Sequence, residues 1–347
     1  DKKDFNTLYR RGEKINLRIL MRCILELKVS SLNYFNHFIK AAGPKLILTA
    51  FDYHPIFYKL KKITKIKTLM LQKGKRTLSD NIFQNQKWIS ESKSENYFVD
   101  YMFLYNKTTC DKYKKLIKGN YFSIGSFENN FNKLDLASQK KEVLFISDYK
   151  IDNNDELLEN CENDDLVALN LHRLALKNKL KFNILPKRTD KVQNRKEFNY
   201  YKNILKNNFK FLKKNTSSSY EIIGKFKYVF CTHSTLGVEN LSKGGRTGFI
   251  FFKSSHNPFR YYRFGIDDKF EKRGPFWTSG YKFNSDELKR VFNFVIKPNK
   301  NFWGEKSRKL GKKIIEFDFN NKTFRDIVIK ELKKSELMSN TQKKLKN

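Results

Sequence analysis

The sequence predicts an α/β protein made of parallel sheets in two domains, and three observations carry that reading. Short apolar runs rich in β-branched and aromatic residues alternate with longer helical patterns, the order that builds β-α-β units. Several of the runs are almost continuously hydrophobic, as parallel strands covered on both faces should be. The chain has 347 residues, of which 39% are hydrophobic and 15% aromatic, enough for two separate cores.

In chain order the strands are expected at KLILTA (45–50), TLMLQ (68–72), YMFLY (101–105), YFSIGS (121–126), EVLFIS (142–147), KFNILP (181–186), KYVFCT (227–232) and TGFIFF (247–252). Helices are expected at 15–41, 155–179, 195–207, 235–243, 285–296 and 323–338. The polar segment FENNFNKLDLASQKK (127–141) reads as the seam between two strand-helix series, and NTSSSYE (215–221) reads as a loop. This places a first domain at 1–135, a second at 136–322, and a terminal helix and tail at 323–347. No internal repeat, heptad run or long low-complexity tract interrupts the pattern.

Charge is the most conspicuous compositional feature. Lys and Arg number 71 against 36 acidic residues, for a net charge of +35. Only 15 of the 71 are Arg, so the bidentate forks suited to bases and phosphates are the minority. The excess is also even, +15 over residues 1–150 and +20 over 151–347. A nucleic-acid module concentrates its charge on one arm or face. Lys, Asn, Phe and Ile all have AT-rich codons, which accounts for much of the lysine content. Nucleic-acid binding stays as the rival from another functional class, and it predicts steeply salt-sensitive affinity.

Cys23, Cys110, Cys161 and Cys231 are widely spaced, with no CxxC and no His at metal-ligand spacing. That argues against a disulfide scaffold or zinc module and for a reducing compartment. No apolar run approaches the roughly 18 residues of a membrane span, and the polar start is unlike a signal peptide. The sequence opens on Asp1 rather than Met, which suggests an incomplete first domain. Residues 10–28 interleave Arg10, Arg11, Lys14, Arg18, Arg22 and Lys28 with Ile, Leu and Met. That pattern fits a basic amphipathic helix on a membrane, and equally a helix packed on its own sheet.

Ligands of open α/β sheets bind beyond the carboxyl ends of strands, so candidate residues are sought there. CTHSTLGVENLSKGG places His233, Ser234 and Thr235 between a strand and a helix start, where free N–H groups suit a phosphate. Gly237 would admit a ligand closely, and Glu239, one turn on, could accept from sugar hydroxyls. A simple capped helix explains the same pattern. ILPKRTDK places Lys187 and Arg188 after a strand end, where they could clamp a diphosphate or form an ordinary basic loop. Gly125 and Ser126 close one strand, and Ser147, Asp148 and Tyr149 close another. In TAFDYHPIFYKL, Asp52 and His54 could deprotonate an acceptor hydroxyl, and LQKGKR ends a strand with Gln72 and Gly74.

The run THSTLGVENLSKGGRTGFIFF followed by FGIDDKFEKRGPFWTS (264–279) resembles the bacterial surface-carbohydrate biosynthesis proteins used for lipopolysaccharide or capsule. The order FDYHPIFYKL, LQKGKR, YMFLYN, IGSFENN, FISDY and ILPKR agrees, so the resemblance spans most of 45–297. It implies a GT-B-like glycosyltransferase, with two Rossmann-like domains facing across a cleft. Donor contacts would come from Lys187, Arg188, His233, Ser234, Thr235, Leu236, Gly237, Glu239 and Asn240. Ser234, Thr235 and Gly237 would hold the phosphates, and Glu239 would reach the ribose or sugar. Segment 263–279 would form a loop over the site, with Trp277 and Thr278 as donor contacts or as packing. Related enzymes carry Gln-His-Gly or Gln-Asn-Gly where this chain has Gln72-Lys73-Gly74, which moves the expected base to Asp52 or His54.

The expected function is therefore transfer of a sugar from a nucleotide-activated donor to a surface-polysaccharide or lipid-linked acceptor. No cofactor is expected, and the sequence holds no Asp-x-Asp triplet for a metal. A glycerol- or polyol-phosphate transferase, or a CMP-donor enzyme of sialyl type, is the alternative within the fold. The expected location is the cytoplasm, with peripheral contact at the inner face of an anionic membrane.

Overall fold

Two sheets, both entirely parallel, organise the chain. The computed structural model describes residues 15–74, 76, 81–149, 164–187, 189–213, 218–232, 234–250, 252, 273–278 and 283–344. It divides into two units, Asp1–Lys73 with Asp80–Phe127 and Asn321–Asn347, and Gly74–Ser79 with Glu128–Asn320.

In the first unit, β1 (Leu46–Thr49), β2 (Lys67–Leu71), β3 (Phe98–Leu104) and β4 (Lys118–Ser123) lie in that spatial order. Successive side chains of a strand leave opposite faces, so each strand feeds two cores. Met70, Val99, Met102 and Leu104 join Tyr58, Tyr97 and Tyr113 in one, and Leu69, Leu71, Phe103 and Ile124 form the other. Phe324, Ile327 and Val328 of helix Lys322–Lys344 pack on the second core, which is why the C-terminal segment groups with this unit. At the start of the sheet Asp100 is buried at an irregularity in β3. Burial pushes its carboxyl up, but Lys61, the Thr68 N–H and Lys67 together hold it below the usual carboxylate value.

In the second unit, β5 (Lys140–Ile146), β6 (Phe182–Leu185), β7 (Phe209–Phe211), β8 (Phe226–Cys231) and β9 (Arg246–Phe249) lie in the order β7-β6-β5-β8-β9. The chain steps outward from β5 to β7, then returns to the other side of β5 with β8. The strand order therefore reverses between β5 and β8, the topological switch point of a doubly wound sheet. Beyond β9, the Phe249 N–H donates to Phe276 and the Thr278 N–H to Phe249, at 2.8 and 3.0 Å, so residues 276–278 extend the edge. Arg290 fixes that segment by donating to the Gly274 and Trp277 carbonyls, each at 2.8 Å.

Several expected elements differ in detail. The single helix expected at 15–41 is two, Leu17–Leu25 and Ser31–Ala42. Ser30 starts the second by accepting from the Asn33 N–H at 3.1 Å, and Gly43 ends it with φ 54°. Of the loop expected at 215–221, Ser218 is instead the cap of a short helix, Ser219–Gly224. Strand β7 was not anticipated because Phe-Lys-Phe, three residues between Asn208 and Leu212, is too short for an alternation to stand out. The expected helix 155–179 is observed as Asp164–Lys177, and residues 155–163 lie outside the described ones. The boundary expected at 135/136 falls at Phe127/Glu128, because Asn129 and Asn130 are wholly buried in the second unit.

Candidate functional site

The switch point places the ends of β5 and β8 side by side. Register pairs Ile146 with Cys231 and with Leu185, so Ser147, Thr232 and Pro186 follow at adjacent positions on the carboxyl edge. Helix Thr235–Ser242 starts just beyond Thr232. Its N-cap, Ser234, has extended dihedrals (φ −68°, ψ 129°) but makes no side-chain capping bond, so its hydroxyl does not compete for the first N–H groups. Those groups carry the positive end of the helix dipole.

Burial divides the expected donor residues in two. Ser234, Thr235 and Leu236 are partly exposed at the helix start. Gly237, Glu239 and Asn240 are buried. A Cβ on Gly237 would lie 2.3 Å from Cys231 Sγ and 3.3 Å from Phe249, so this glycine lets the helix sit on its own sheet rather than admitting a ligand. Asn240 donates to Thr247 Oγ1 at 3.0 Å and packs where a Cβ on Gly245 would be, tying the helix to β9. Glu239 accepts from the Tyr220 hydroxyl at 3.3 Å, inside the unit rather than at its mouth. Beside it, burial pushes the Lys243 ammonium down to about 8, with Glu239 acting in the opposite sense. Trp277 and Thr278 resolve as packing, being 1% and 0% exposed, with the Trp277 ring where a Cβ on Gly274 would be.

Lys187 is at the carboxyl end of β6 as expected, but its ammonium is engaged. It pairs with Asp148 at 2.6 Å, while its N–H donates to the buried Glu197 at 2.9 Å. Ser147 accepts from the Tyr201 hydroxyl at 2.9 Å and the Tyr149 N–H at 3.1 Å, and the Tyr149 ring lies against Tyr200. Arg188, His233 and residues 264–272 lie outside the described residues.

At the carboxyl edge of the first sheet the candidates separate again. Asp52 is 1% exposed and its Oδ2 accepts from the Tyr113 hydroxyl at 2.5 Å. Its carbonyl accepts from the Tyr58 hydroxyl at 2.8 Å, so the residue is built into the core beneath the strand end. His54 is partly exposed and stacks on Tyr53, with Phe51 edge-on. Gln72 is buried and its Oε1 accepts from the Tyr105 N–H at 2.9 Å, joining the ends of β2 and β3. Gly74 lies in the turn after β2, with open space around its Cβ position. Gly125 turns the chain after β4 with φ 78°, and Ser126 is buried beside it. Among the described residues no group of three or more His, Cys, Asp or Glu could hold a metal ion.

One residue was not singled out from sequence. Thr232, 3% exposed, has a buried Oγ1 at the switch-point edge without a hydrogen-bond partner among the described residues. Position directly after a strand was the available signal for it.

Residues 69–333 match the model of a family described as "putative O-antigen biosynthesis protein". No curated protein matches the chain by sequence. Among solved structures, a glycosyltransferase from Rickettsia africae is 12% identical, with 95% of this chain and 85% of that one covered and a TM-score of 0.50. A "putative UDP-N-acetylglucosamine 2-epimerase" from Listeria monocytogenes is 12% identical over 83% and 74% of the two chains, with a TM-score of 0.51. The accessory secretory protein 1, 2 and 3 structure from Streptococcus pneumoniae is 9% identical over 94% and 61%, with a TM-score of 0.49. The chain thus spans about three-fifths of that relative's length. The likenesses show the fold, two Rossmann-like parallel-sheet units of the GT-B type.

Proposed function

Because the chain belongs to the O-antigen biosynthesis family that its residues 69–333 match, we propose that it is a glycosyltransferase using a nucleotide-activated sugar. The observation that supports this most is the start of helix Thr235–Ser242, whose N-cap side chain leaves the first N–H groups uncapped at the switch point. The donor diphosphate binds there, held by the Thr235 and Leu236 N–H groups and the Ser234 and Thr235 hydroxyls. Lys187 supplies a cation from the end of β6, across β5 from the helix, once its bond to Asp148 is exchanged for one to phosphate. Arg188 and His233 stay in this reading as further diphosphate contacts. Glu239 acts on the donor indirectly, through Tyr220 and the helix it anchors.

His54 is the proposed general base for the acceptor hydroxyl. It takes the proton as the acceptor oxygen bonds to the anomeric carbon, and the carbon–diphosphate bond breaks with its electrons on the leaving group. The charge that develops is met by N–H groups and lysine, without a bound metal or cofactor. The acceptor is a surface-polysaccharide or lipid-linked glycan on the cytoplasmic side of the membrane. Among the described residues no helix is long and apolar enough to cross a membrane. Helix Leu17–Leu25 is the proposed peripheral contact, since it buries Ile19 and Cys23 but leaves Leu17 72% and Leu25 77% exposed beside Arg18 and Arg22.

Calorimetry with a panel of nucleotide sugars, followed by assay of nucleotide release, tests the reading. Binding of at least one donor that is lost in Ser234→Ala/Thr235→Ala is expected. No binding across UDP-, GDP-, CMP- and CDP-linked donors would defeat it.

A further inference from the structure

The amino edge of the second sheet carries a feature that the transfer reaction does not use. A cavity of about 1060 Å³ opens where β5, β6 and β8 begin, at the end of the sheet opposite the switch point. Its volume lies at the upper end of the roughly 300–1,000 Å³ typical of small-molecule sites. Six lysines line it, Lys140, Lys179, Lys181, Lys210, Lys213 and Lys225, against one carboxylate, Glu142. Glu142 is occupied by the Asn183 amide at 3.0 Å. Among the described residues none of the six ammonium groups has an ion-pair partner, although twelve ion pairs occur elsewhere in them. Between the lysines the wall is apolar, formed by Leu176, Leu180, Phe209, Phe211 and Leu212.

We infer that this groove binds an anionic membrane lipid, with the headgroup among the lysines and the hydrocarbon against the leucine and phenylalanine wall. Charge complementarity and composition select that occupant. The lysines come from four separate segments of chain and include no Arg, so they form a diffuse cationic rim rather than a bidentate phosphate clamp. A free phosphate or a nucleic-acid backbone satisfies the rim but leaves the apolar wall wet. A lipid satisfies both. Each lysine near an anionic bilayer changes partitioning by about fivefold.

The test is co-sedimentation of the full chain with vesicles of phosphatidylcholine alone or containing phosphatidylglycerol. Three proteins are compared: wild type, Lys181→Gln/Lys210→Gln/Lys213→Gln, and Lys87→Gln/Lys93→Gln/Lys107→Gln, which removes the same charge from exposed positions elsewhere. Wild type is expected to pellet only with the anionic vesicles. The groove variant should lose about a hundredfold in partitioning and the control variant no more than about threefold. All six substituted side chains are exposed, and equal melting curves verify that folding is intact. Equal losses in the two variants would reduce the effect to net charge and overturn the inference. So would an unaffected groove variant, a wild type that stays in the supernatant, or full release by inorganic phosphate at matched ionic strength.

Discussion

The two ends of the second sheet have opposite chemistry. At the carboxyl edge the described cation, Lys187, is paired with Asp148 at 2.6 Å, hydroxyls from Ser147 and Thr232 are buried, and a helix start supplies N–H groups. At the amino edge six lysines stand around an apolar wall with no partner among the described residues. A site for a small, highly charged ligand needs few cations held in defined geometry, because every bond must be in place before the ligand arrives. A site for an extended anionic surface needs only the sign of the charge. The same residue type, lysine, is therefore constrained at one end and without an ion-pair partner among the described residues at the other.

The most damaging way to break the carboxyl-edge arrangement is to lift its helix. Gly237→Val puts a branched side chain where a single Cβ already meets Cys231 Sγ at 2.3 Å. A loss of about 3 kcal/mol is expected, read as a fall in melting temperature of several degrees, with donor binding lost as well. Next comes Thr235→Pro. Proline suits the first helical position, and Ser234 before it already has the extended dihedrals proline demands, so melting should be unchanged. The substitution removes the Thr235 N–H and hydroxyl together. Donor affinity should fall by at least about 10- to 100-fold, the value of one hydrogen bond to a charged group, and by more than in Thr235→Ala, which removes the hydroxyl alone. Unchanged affinity would place the diphosphate elsewhere.

Lys243 adds a pH dependence to the stability of this unit. Its ammonium titrates near 8 in the folded state and close to its ordinary value of 10.5 when unfolded. Between those values the unfolded chain holds the proton that the folded chain has released, so this group makes stability rise with pH across about 8 to 10.5. In Lys243→Met that contribution disappears, and the difference between the two melting curves should change over that window and be flat below it. The smallest effect is expected from Asp148→Asn, which frees Lys187 for the ligand. Because a partly exposed pair of this kind is worth about 0–1 kcal/mol, donor affinity should rise by no more than about fivefold. A drop would mean that Asp148 itself contacts the donor.

Much of the fold was legible from local pattern. Near-continuous apolar runs such as EVLFIS and KYVFCT are strands β5 and β8, and CTHST marked the turn into helix Thr235–Ser242. The orientation of single residues was not. Gly237 reads as an opening for a ligand because spacing cannot say whether a glycine faces the mouth or the sheet. Asp52 reads as a base because its partner, Tyr113, lies 61 residues away. The six groove lysines are invisible in a chain where lysine is everywhere and no two of them belong to a motif.

The +35 charge, the two series of parallel strands and the strand-to-helix turn at 232–235 follow from the sequence alone, because they depend on composition and on periods of a few residues. Which of those charges are paired, which glycine is packed and which carboxylate is buried were decided only by the tertiary structure. Each depends on a neighbour brought in from tens of residues away, and local propensity carries no record of such neighbours.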